Sequence, residues 1–259
     1  MWRLRTTRTS AFKEMKKQKS NFFLKTTIAV LVLLAFFICA WFGKGFIFPT
    51  KSACVSESCS TKENPDVIIK YAVDLGLPSG ILWADRNVGA DSPEDYGDYF
   101  AWGETNPKSD YAWSTYKWRG NDNDTMTKYC VDNDCGMDNK NMLDIDDDAA
   151  YVNMGKDWRM PTAEEQKELS KKCTWLWTTQ NGVKGYKVTG PNGNSIFLPA
   201  AGFREGSTLS NVGLSGSFWS SSLNEAISDI AWGLAFRSGG RSMGCTFRWN
   251  GVTVRAVVR

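Results

Sequence analysis

The stretch 146–172, DDDAAYVNMGKDWRMPTAEEQKELSKK, contains both helices that we predict for this chain of 259 residues. Three acids at Asp146–Asp148 favour a helix N-terminus, and they predict a short helix over Ala149–Met154. A capping box of the T-x-x-E type follows at Thr162–Glu165 and predicts a second helix from about Ala163 to Lys172. Both helices are short, so most of the chain must fold in another way.

On both sides of this stretch, short apolar or alternating runs bounded by Gly, Asn and Pro predict β-strands. These runs are residues 67–73, 81–84, 96–102, 174–178, 185–189, 195–198, 218–221, 230–236 and 252–258. The Gly/Ser-rich segments 202–216 and 238–250 predict long loops, and long loops in a compact domain are commonly functional. The predicted fold class is α+β, with two short helices on a twisted, mostly antiparallel sheet with long loops.

An uncharged segment at residues 26–43, TTIAVLVLLAFFICAWFG, is about long enough to cross a bilayer as one helix. The arm before it, residues 1–25, holds eight Lys and Arg residues against one acid, so the positive-inside rule places that arm in the cytoplasm. We therefore predict a cytoplasmic basic arm (1–25), a transmembrane helix (26–43), a stalk or linker (44–65) and an ectodomain (66–259). A cleaved signal peptide is the alternative interpretation of the apolar segment.

The chain contains no histidine. This excludes Ser–His–Asp and Cys–His mechanisms and His-ligated zinc sites. The formal net charge of +3 comes from the basic arm, and the remainder of the chain is net acidic. Binding of nucleic acid by the ectodomain is therefore disfavoured. We expect a protein that is not an enzyme.

Six cysteines follow the predicted membrane helix: Cys54, Cys59, Cys130, Cys135, Cys173 and Cys245. An even number outside the cytoplasm predicts disulfides. Local Cys54–Cys59 and Cys130–Cys135 bridges would leave Cys173 to pair with Cys245, but spacing alone does not determine the connectivity. A zinc cluster is the competing interpretation, although the C-x-x-C spacing that it usually needs is absent.

The acidic run 121–148 contains a candidate calcium loop. Its members Asp132, Asp134 and Asp138 stand at alternate positions, where their oxygens can face one ion. Leu143 stands where an EF-hand has its closing glutamate, and a solvated acidic loop is the alternative. The cofactor prediction is therefore none, with calcium as the one candidate.

Six segments in order carry a resemblance to one family. They are VDLGLPSGILWADRNVGA (73–90), YGDYFAWGE (96–104), DAAYVNMGKDWRMPTAEEQKEL (148–169), CTWLWTTQNGVKGYKVTGPNGNSIFLPAAGFR (173–204), FWSSSLNE (218–225) and RWNGVTVRAV (248–257). Over about residues 71–259 the chain resembles the major paralogous domain proteins of Bacteroidetes and Fibrobacter. That family is similar to the C-type-lectin-like fold of the formylglycine-generating-enzyme type, in which the N- and C-terminal strands pair. The resemblance implies a bacterial envelope location, and it implies function only by analogy.

Some relatives of this fold are varied by diversity-generating retroelements, and their ligand-facing segment lies near the C-terminus. The matching segment here, 229–250, sets aromatic and arginine side chains among Gly and Ser, which is typical of binding surfaces. The predicted ligand-binding residues are Trp232, Arg237, Arg241, Phe247, Arg248, Trp249 and Asn250. For Trp232 and Phe236 the core of a strand is the favoured place and the binding surface is the alternative. For Arg248 the alternative is a structural role.

These observations predict a single-pass protein of the bacterial membrane that binds a protein or a glycan outside the cytoplasm through its C-terminal aromatic and arginine loops. A diversified ligand-binding protein is one form of this expectation. A structural cell-envelope or surface-assembly subunit is the first alternative. The second is an oxidase of the formylglycine-generating type, which needs a pair of cysteines near the end of the domain, where only Cys245 stands.

Overall fold

The structure is a computed structural model that describes residues 71–121, 125–131 and 138–259. Within those ranges no helix is long and apolar enough to cross a membrane. The predicted arm (1–25), membrane helix (26–43) and stalk (44–65) lie outside the described residues. The described chain is mixed α+β, mostly sheet with two short α-helices, as the sequence predicts.

Both predicted helices are confirmed: α1 spans Ala149–Met154 and α2 spans Ala163–Lys172. Asp148 caps α1 by accepting hydrogen bonds from two backbone N–H groups of its first turn, at 2.9 and 3.1 Å. The Thr162 hydroxyl accepts from the Glu165 N–H at 3.2 Å, and the Glu165 carboxylate accepts from the Thr162 N–H at 2.8 Å. Such caps each stabilise a helix by about 1 kcal/mol, which explains why short local signals set these bounds.

The strands of the described chain are β1 (Ala72–Asp74), β2 (Leu82–Ala84), β3 (Tyr99–Phe100), β4 (Thr174–Gln180), β5 (Val183–Thr189), β6 (Ser195–Pro199), β7 (Phe203–Glu205), β8 (Thr208–Ser210), β9 (Ser215–Leu223), β10 (Ile230–Arg237), β11 (Gly240–Phe247), β12 (Val252–Thr253) and β13 (Val257–Val258). Single turns of 3-10 helix cover Trp113–Thr115 and Ile145–Asp147.

These strands form four sheets, ordered β1-β2-β13, β11-β10-β9-β12-β3, β4-β5-β6 and β7-β8. Neighbouring strands are antiparallel except for β12 and β9. The first sheet joins the two ends of the described chain, because β13 pairs with β2. The β10–β11 hairpin forms the outer edge of the five-stranded sheet, with all eight residues of each strand in register.

The core lies on both sides of the five-stranded sheet. Adjacent residues of β9 separate the two sides: Phe218 packs with Leu234 and Phe236, whereas Trp219 packs with a second cluster around Trp102. The first cluster is closed by α2 and by the β4–β5–β6 sheet. Burial of these large side chains provides most of the driving force for folding.

Several strand and loop predictions were wrong. The segments predicted as long loops contain β7, β8 and the whole of β11. Strand β11 reads GRSMGCTF, with no clear apolar alternation, because it lies at the sheet edge and carries small residues on one face. The predicted strand 252–258 is broken into β12 and β13, and between them the Arg255 side chain is buried and donates to the Ala84 and Phe197 carbonyls. The predicted strand 96–102 shortens to β3. Of the predicted strand 67–73, residues 67–70 lie outside the described residues, and β1 begins at Ala72.

The suggested Cys173–Cys245 pair is also wrong, because both thiols are free. Cys173 follows α2 and packs into the core, where burial raises its pKa to about 11. Cys245 is exposed on β11, opposite Trp232. Cys130 is disulfide-bonded, and its partner is not among the described residues. The remaining predicted disulfide residues, Cys54, Cys59 and Cys135, lie outside the described residues.

Candidate ligand-binding surface

Residues 247–250, at the end of β11, alternate between surface and core. Phe247 is 47% exposed and Trp249 is half-buried, whereas Arg248 and Asn250 are only 0% and 5% exposed. Strand β11 therefore ends by presenting two aromatic side chains outward and two polar side chains inward. The predicted surface roles of Phe247 and Trp249 are consistent with their positions, but those of Arg248 and Asn250 are not.

Arg248 is a structural residue. Its Nε donates to the Tyr116 hydroxyl at 2.9 Å, and its Nη1 donates to the Tyr129 and Ser228 carbonyls at 3.1 and 3.0 Å. Its Nη2 donates to the Lys128 carbonyl at 2.9 Å. Each acceptor is a neutral oxygen, and the guanidinium suits this arrangement because its donors fan out in one plane. These bonds direct its donors into the protein, so they support the structural alternative for Arg248 and not the predicted ligand contact.

The two outward rings stack on each other, and one of them meets a third ring edge-on. The Phe247 and Trp249 rings lie nearly parallel, with centroids 4.5 Å apart and an interplanar angle of 13°. Trp249 meets Trp113 edge-on at 5.1 Å. We call Phe247, Trp249 and Trp113 the aromatic platform. Sequence reasoning missed Trp113, although the aromatic density of residues 111–118, YAWSTYKW, was an available signal.

Two polar atoms at the platform lack hydrogen-bond partners. The indole Nε1 of Trp113 and the Oδ1 of Asn250 are both buried and unsatisfied. The Nδ2 of Asn250 donates to the Thr246 hydroxyl at 3.0 Å. An unsatisfied buried group costs about 1–3 kcal/mol, so such atoms are uncommon and require an explanation. The predicted direct contact of Asn250 with a ligand is wrong for this structure, because its side chain is covered.

Three further predicted residues lie on the β10–β11 hairpin. Trp232 is half-buried and lines a cleft against α2. The Arg241 guanidinium donates to the Ser170 carbonyl at 2.7 and 3.1 Å and lies 4.8 Å from the Trp175 ring centroid. Arg237 is exposed, at the far end of β10. Trp232 and Arg241 share the side of the hairpin that faces α2, because Trp232 lies opposite Cys245 and Arg241 opposite Phe236.

The cleft beside Trp232 has a volume of ≈ 560 Å³. Its lining residues come from α2 and from the hairpin, and they are Ala163, Glu164, Lys167, Ser170, Lys171, Trp232 and Met243. The opposite face of the hairpin carries small residues, including Gly233, Ala235, Ser242 and Gly244, and borders two grooves of ≈ 170 and ≈ 450 Å³. Sequence reasoning missed the contribution of α2, because it considered only the C-terminal segment.

An ionic cluster supports the segment that holds Arg248. The Asp147 carboxylate accepts from Lys117 at 3.0 Å, Lys128 at 2.6 Å and the Tyr129 hydroxyl at 2.5 Å. Burial opposes ionisation of Asp147, but these three donors hold its pKa below the ordinary value. Since Lys128 and Tyr129 also provide carbonyls to Arg248, the cluster fixes the inner support of the platform.

The calcium candidate is only partly described, because Asp132 and Asp134 lie outside the described residues. Both oxygens of Asp138 are engaged, since they accept from the backbone N–H groups of Tyr129, Cys130 and Lys140 at 2.9, 2.9 and 3.2 Å. Although burial opposes it, these backbone bonds hold the Asp138 pKa below its usual range. Among the described residues, no group of three or more Cys, Asp and Glu side chains is placed to hold a metal ion.

Comparisons of the chain with protein family models, with curated proteins and with solved structures find no match.

Proposed function

We propose that this chain is a membrane-anchored binding protein that acts outside the cytoplasm, and that it recognises a protein or glycan ligand through the aromatic platform. We propose a C-type-lectin-like fold for its ectodomain and no enzymatic activity. The segment 229–250 is a candidate for sequence diversification, which sequencing of that segment across a growing population tests.

The observation that carries this proposal is the exposed Phe247 ring, which is stacked on Trp249, with the buried Arg248 between them in the sequence. A rigid aromatic surface contributes a large contact area at a low cost in side-chain entropy. Exposed aromatic residues supported by a packed base are typical of binding hot spots. No described neighbour covers the outer half of Phe247, so this area is open to a ligand.

Three further observations support the proposal. Strand β13 pairs with β2, so the two ends of the domain share one sheet, as in the fold that the sequence resembles. The uncharged segment 26–43 after a basic arm supports the membrane anchor. The absence of histidine from the whole chain supports binding over catalysis, because histidine is the commonest general base.

The proposal can be tested with the full chain in a mild detergent, applied to a glycan array and to a displayed peptide library. Phe247→Ala should abolish capture of whatever ligand the wild type selects, because it removes the exposed ring of the platform. Unfolding should change by less than about 1 kcal/mol, since the ring is half exposed. Leu214→Ala is the matched control, because Leu214 is also an exposed apolar residue, at 64% exposure, and lies outside the platform.

Two results would count against the proposal. Ligand capture that survives Phe247→Ala would move the binding surface elsewhere. If the wild type selects no ligand and instead purifies in fixed ratio with one envelope protein, the platform is a permanent subunit contact, and the structural alternative replaces the binding function.

A further inference from the structure

The cleft between α2 and the β10–β11 hairpin combines an apolar wall with a charged one. Trp232 and Met243 form the wall on the hairpin, and Lys167 and Lys171 stand on α2. The two lysines are four residues apart, so they lie on the same face of the helix. Its volume of ≈ 560 Å³ lies within the range of small-ligand sites.

Positive charge in this cleft exceeds the negative charge available to balance it. Glu164 pairs with Lys167 at 3.1 Å, and no described residue forms an ion pair with Lys171. Arg241 stands beside the cleft, where its guanidinium bonds the carbonyl of the lining residue Ser170 and meets no carboxylate among the described residues. The nearby acid Glu168 turns away, since it accepts a hydrogen bond from the Ser79 N–H at 3.1 Å. Lys171 and Arg241 are therefore left without a counter-charge among the described residues.

Trp232 provides the cleft with a ring and a free donor. Its side chain is half-buried, and its indole N–H has no hydrogen-bond partner among the described residues. An indole with one apolar face and one unused donor suits a ligand that is itself a ring bearing oxygens. Neighbouring Leu234 and Phe236, on the same side of β10, are fully covered and offer no such surface.

The cleft and the aromatic platform lie on one side of the hairpin. Met243, Cys245 and Phe247 stand at alternate positions of β11, so their side chains share a face of the sheet. Met243 lines the cleft, Cys245 is exposed beyond it, and Phe247 begins the platform. One elongated ligand can therefore contact both regions.

From this arrangement we infer that the cleft binds an acidic sugar, with the carboxylate facing Lys171 and the sugar ring against Trp232. This inference rests on the proposed function and narrows its ligand class to an acidic glycan. A carboxylate provides the counter-charge that Lys171 lacks, and a charge-assisted hydrogen bond to a lysine is stronger than a neutral one. A ring fits the flat indole better than the flexible acidic side chain of a peptide does.

The direct test is calorimetric titration of the full chain, in mild detergent, with trigalacturonic acid. Its methyl ester is the matched neutral probe, and hexaglutamate tests whether charge alone is sufficient. The acid should bind at least about tenfold more tightly than either of the other two probes. Its affinity should also fall as salt is raised, because salt screens exposed charges.

Two substitutions on α2 locate the site. Lys171→Gln should weaken binding of trigalacturonic acid at least about tenfold, as expected for loss of one charged hydrogen bond. Lys172→Gln is the control, because Lys172 is an exposed lysine of the same helix that does not line the cleft, and it should change affinity less than twofold. Trp232→Leu should also weaken binding, with thermal unfolding followed to confirm that the variant folds.

The inference is overturned if the methyl ester or hexaglutamate binds as tightly as the acid, or if Lys172→Gln weakens binding as much as Lys171→Gln does. It is also overturned if the acid does not bind at all. Phe247→Ala separates this inference from the proposed function. If ligand capture from the arrays depends on Phe247 while trigalacturonic acid does not bind, the binding function stands and only the acidic sugar falls.

Discussion

The α2-facing side of the β10–β11 hairpin carries large apolar residues at both of its ends. These residues are buried at one end and partly exposed at the other. At the inner end Leu234 and Phe236 are 1% and 4% exposed. At the outer end, on the same side, Trp232 is half-buried and Phe247 is 47% exposed. All four are large apolar residues at alternating strand positions, so strand periodicity alone does not distinguish them. What distinguishes them is the cover that other parts of the chain provide.

The inner end is covered by aromatic rings from distant parts of the sequence. The Phe236 ring meets Tyr186 edge-on at 5.3 Å and stacks on Phe218 at 5.8 Å. Trp175 and Trp177 each approach it to 6.3 Å. At the outer end, Phe247 has one ring neighbour among the described residues, Trp249. The inner end is therefore part of the core, and the outer end is a surface supported from beneath.

The largest expected effect is at the inner end. Phe236→Ala should lower the free energy of unfolding by about 4 kcal/mol, because a buried ring is lost and its neighbours cannot close the cavity. Urea denaturation followed by circular dichroism measures this. A loss similar to that of Phe247→Ala would show that the two ends do not differ, and the comparison would fail.

Substitution of Arg248 should have the next largest effect on stability, because its hydrogen bonds support the outer end of the hairpin. Arg248→Leu leaves three carbonyls and the Tyr116 hydroxyl without their donor, so we expect a loss of about 3 kcal/mol in the free energy of unfolding. Ligand capture by the platform should also fall, although Phe247 and Trp249 are unchanged. Arg248→Lys is the control for charge, and it should rescue little because one ammonium cannot reach all these acceptors.

Lowering the pH should destabilise the outer end of the hairpin before the inner end. The Asp147 pKa is held below its ordinary value, so its ionised form stabilises the fold above the unfolded-state pKa of about 3.9. That stability is lost as the pH falls through the lower pKa of the folded state. Asp147→Asn should cost about 2 kcal/mol at pH 7 and progressively less below pH 4. Hydrogen exchange of residues 125–131 measures the loosening, and equal pH dependence in the variant and the wild type would contradict this account.

The smallest effect concerns the two free thiols, of which Cys173 is buried and Cys245 is exposed. Iodoacetamide should label Cys245 in the native chain, because it is exposed, and should label Cys173 only after unfolding. Burial raises the pKa of Cys173 to about 11, which further lowers the fraction of reactive thiolate. Peptide mapping by mass spectrometry without reductant reads out each site. Recovery of a Cys173–Cys245 disulfide would contradict the structure.

Local signals explain what the sequence predicted well. The bounds of α1 and α2 follow from Asp148 and from the capping box at Thr162 and Glu165, which act within one helical turn. Strand β11 has no such signal, since its residues are small or polar and its conformation depends on pairing with β10. Predicting it as a loop was therefore an error that single-sequence patterns favour.

The site was predicted less completely than the fold, for a similar reason. Phe247 and Trp249 were placed at the surface because aromatic residues among small ones are typical of binding regions. A structural role was the alternative for Arg248, but its burial could not be derived, because its acceptors Tyr116, Lys128 and Tyr129 lie more than a hundred residues earlier in the chain. Lys171 was missed because α2 is distant in sequence from the hairpin that it faces.

The pairing of β13 with β2 also has a consequence for biosynthesis. Val257 and Val258 complete the first sheet, and both are buried. Synthesis must therefore reach Val257 and Val258 before this sheet can close. Until then β2 presents an open edge, which is a hazard for aggregation. Maturation of the domain is thus a late event, and chains truncated before Val257 are expected to be degraded by proteases.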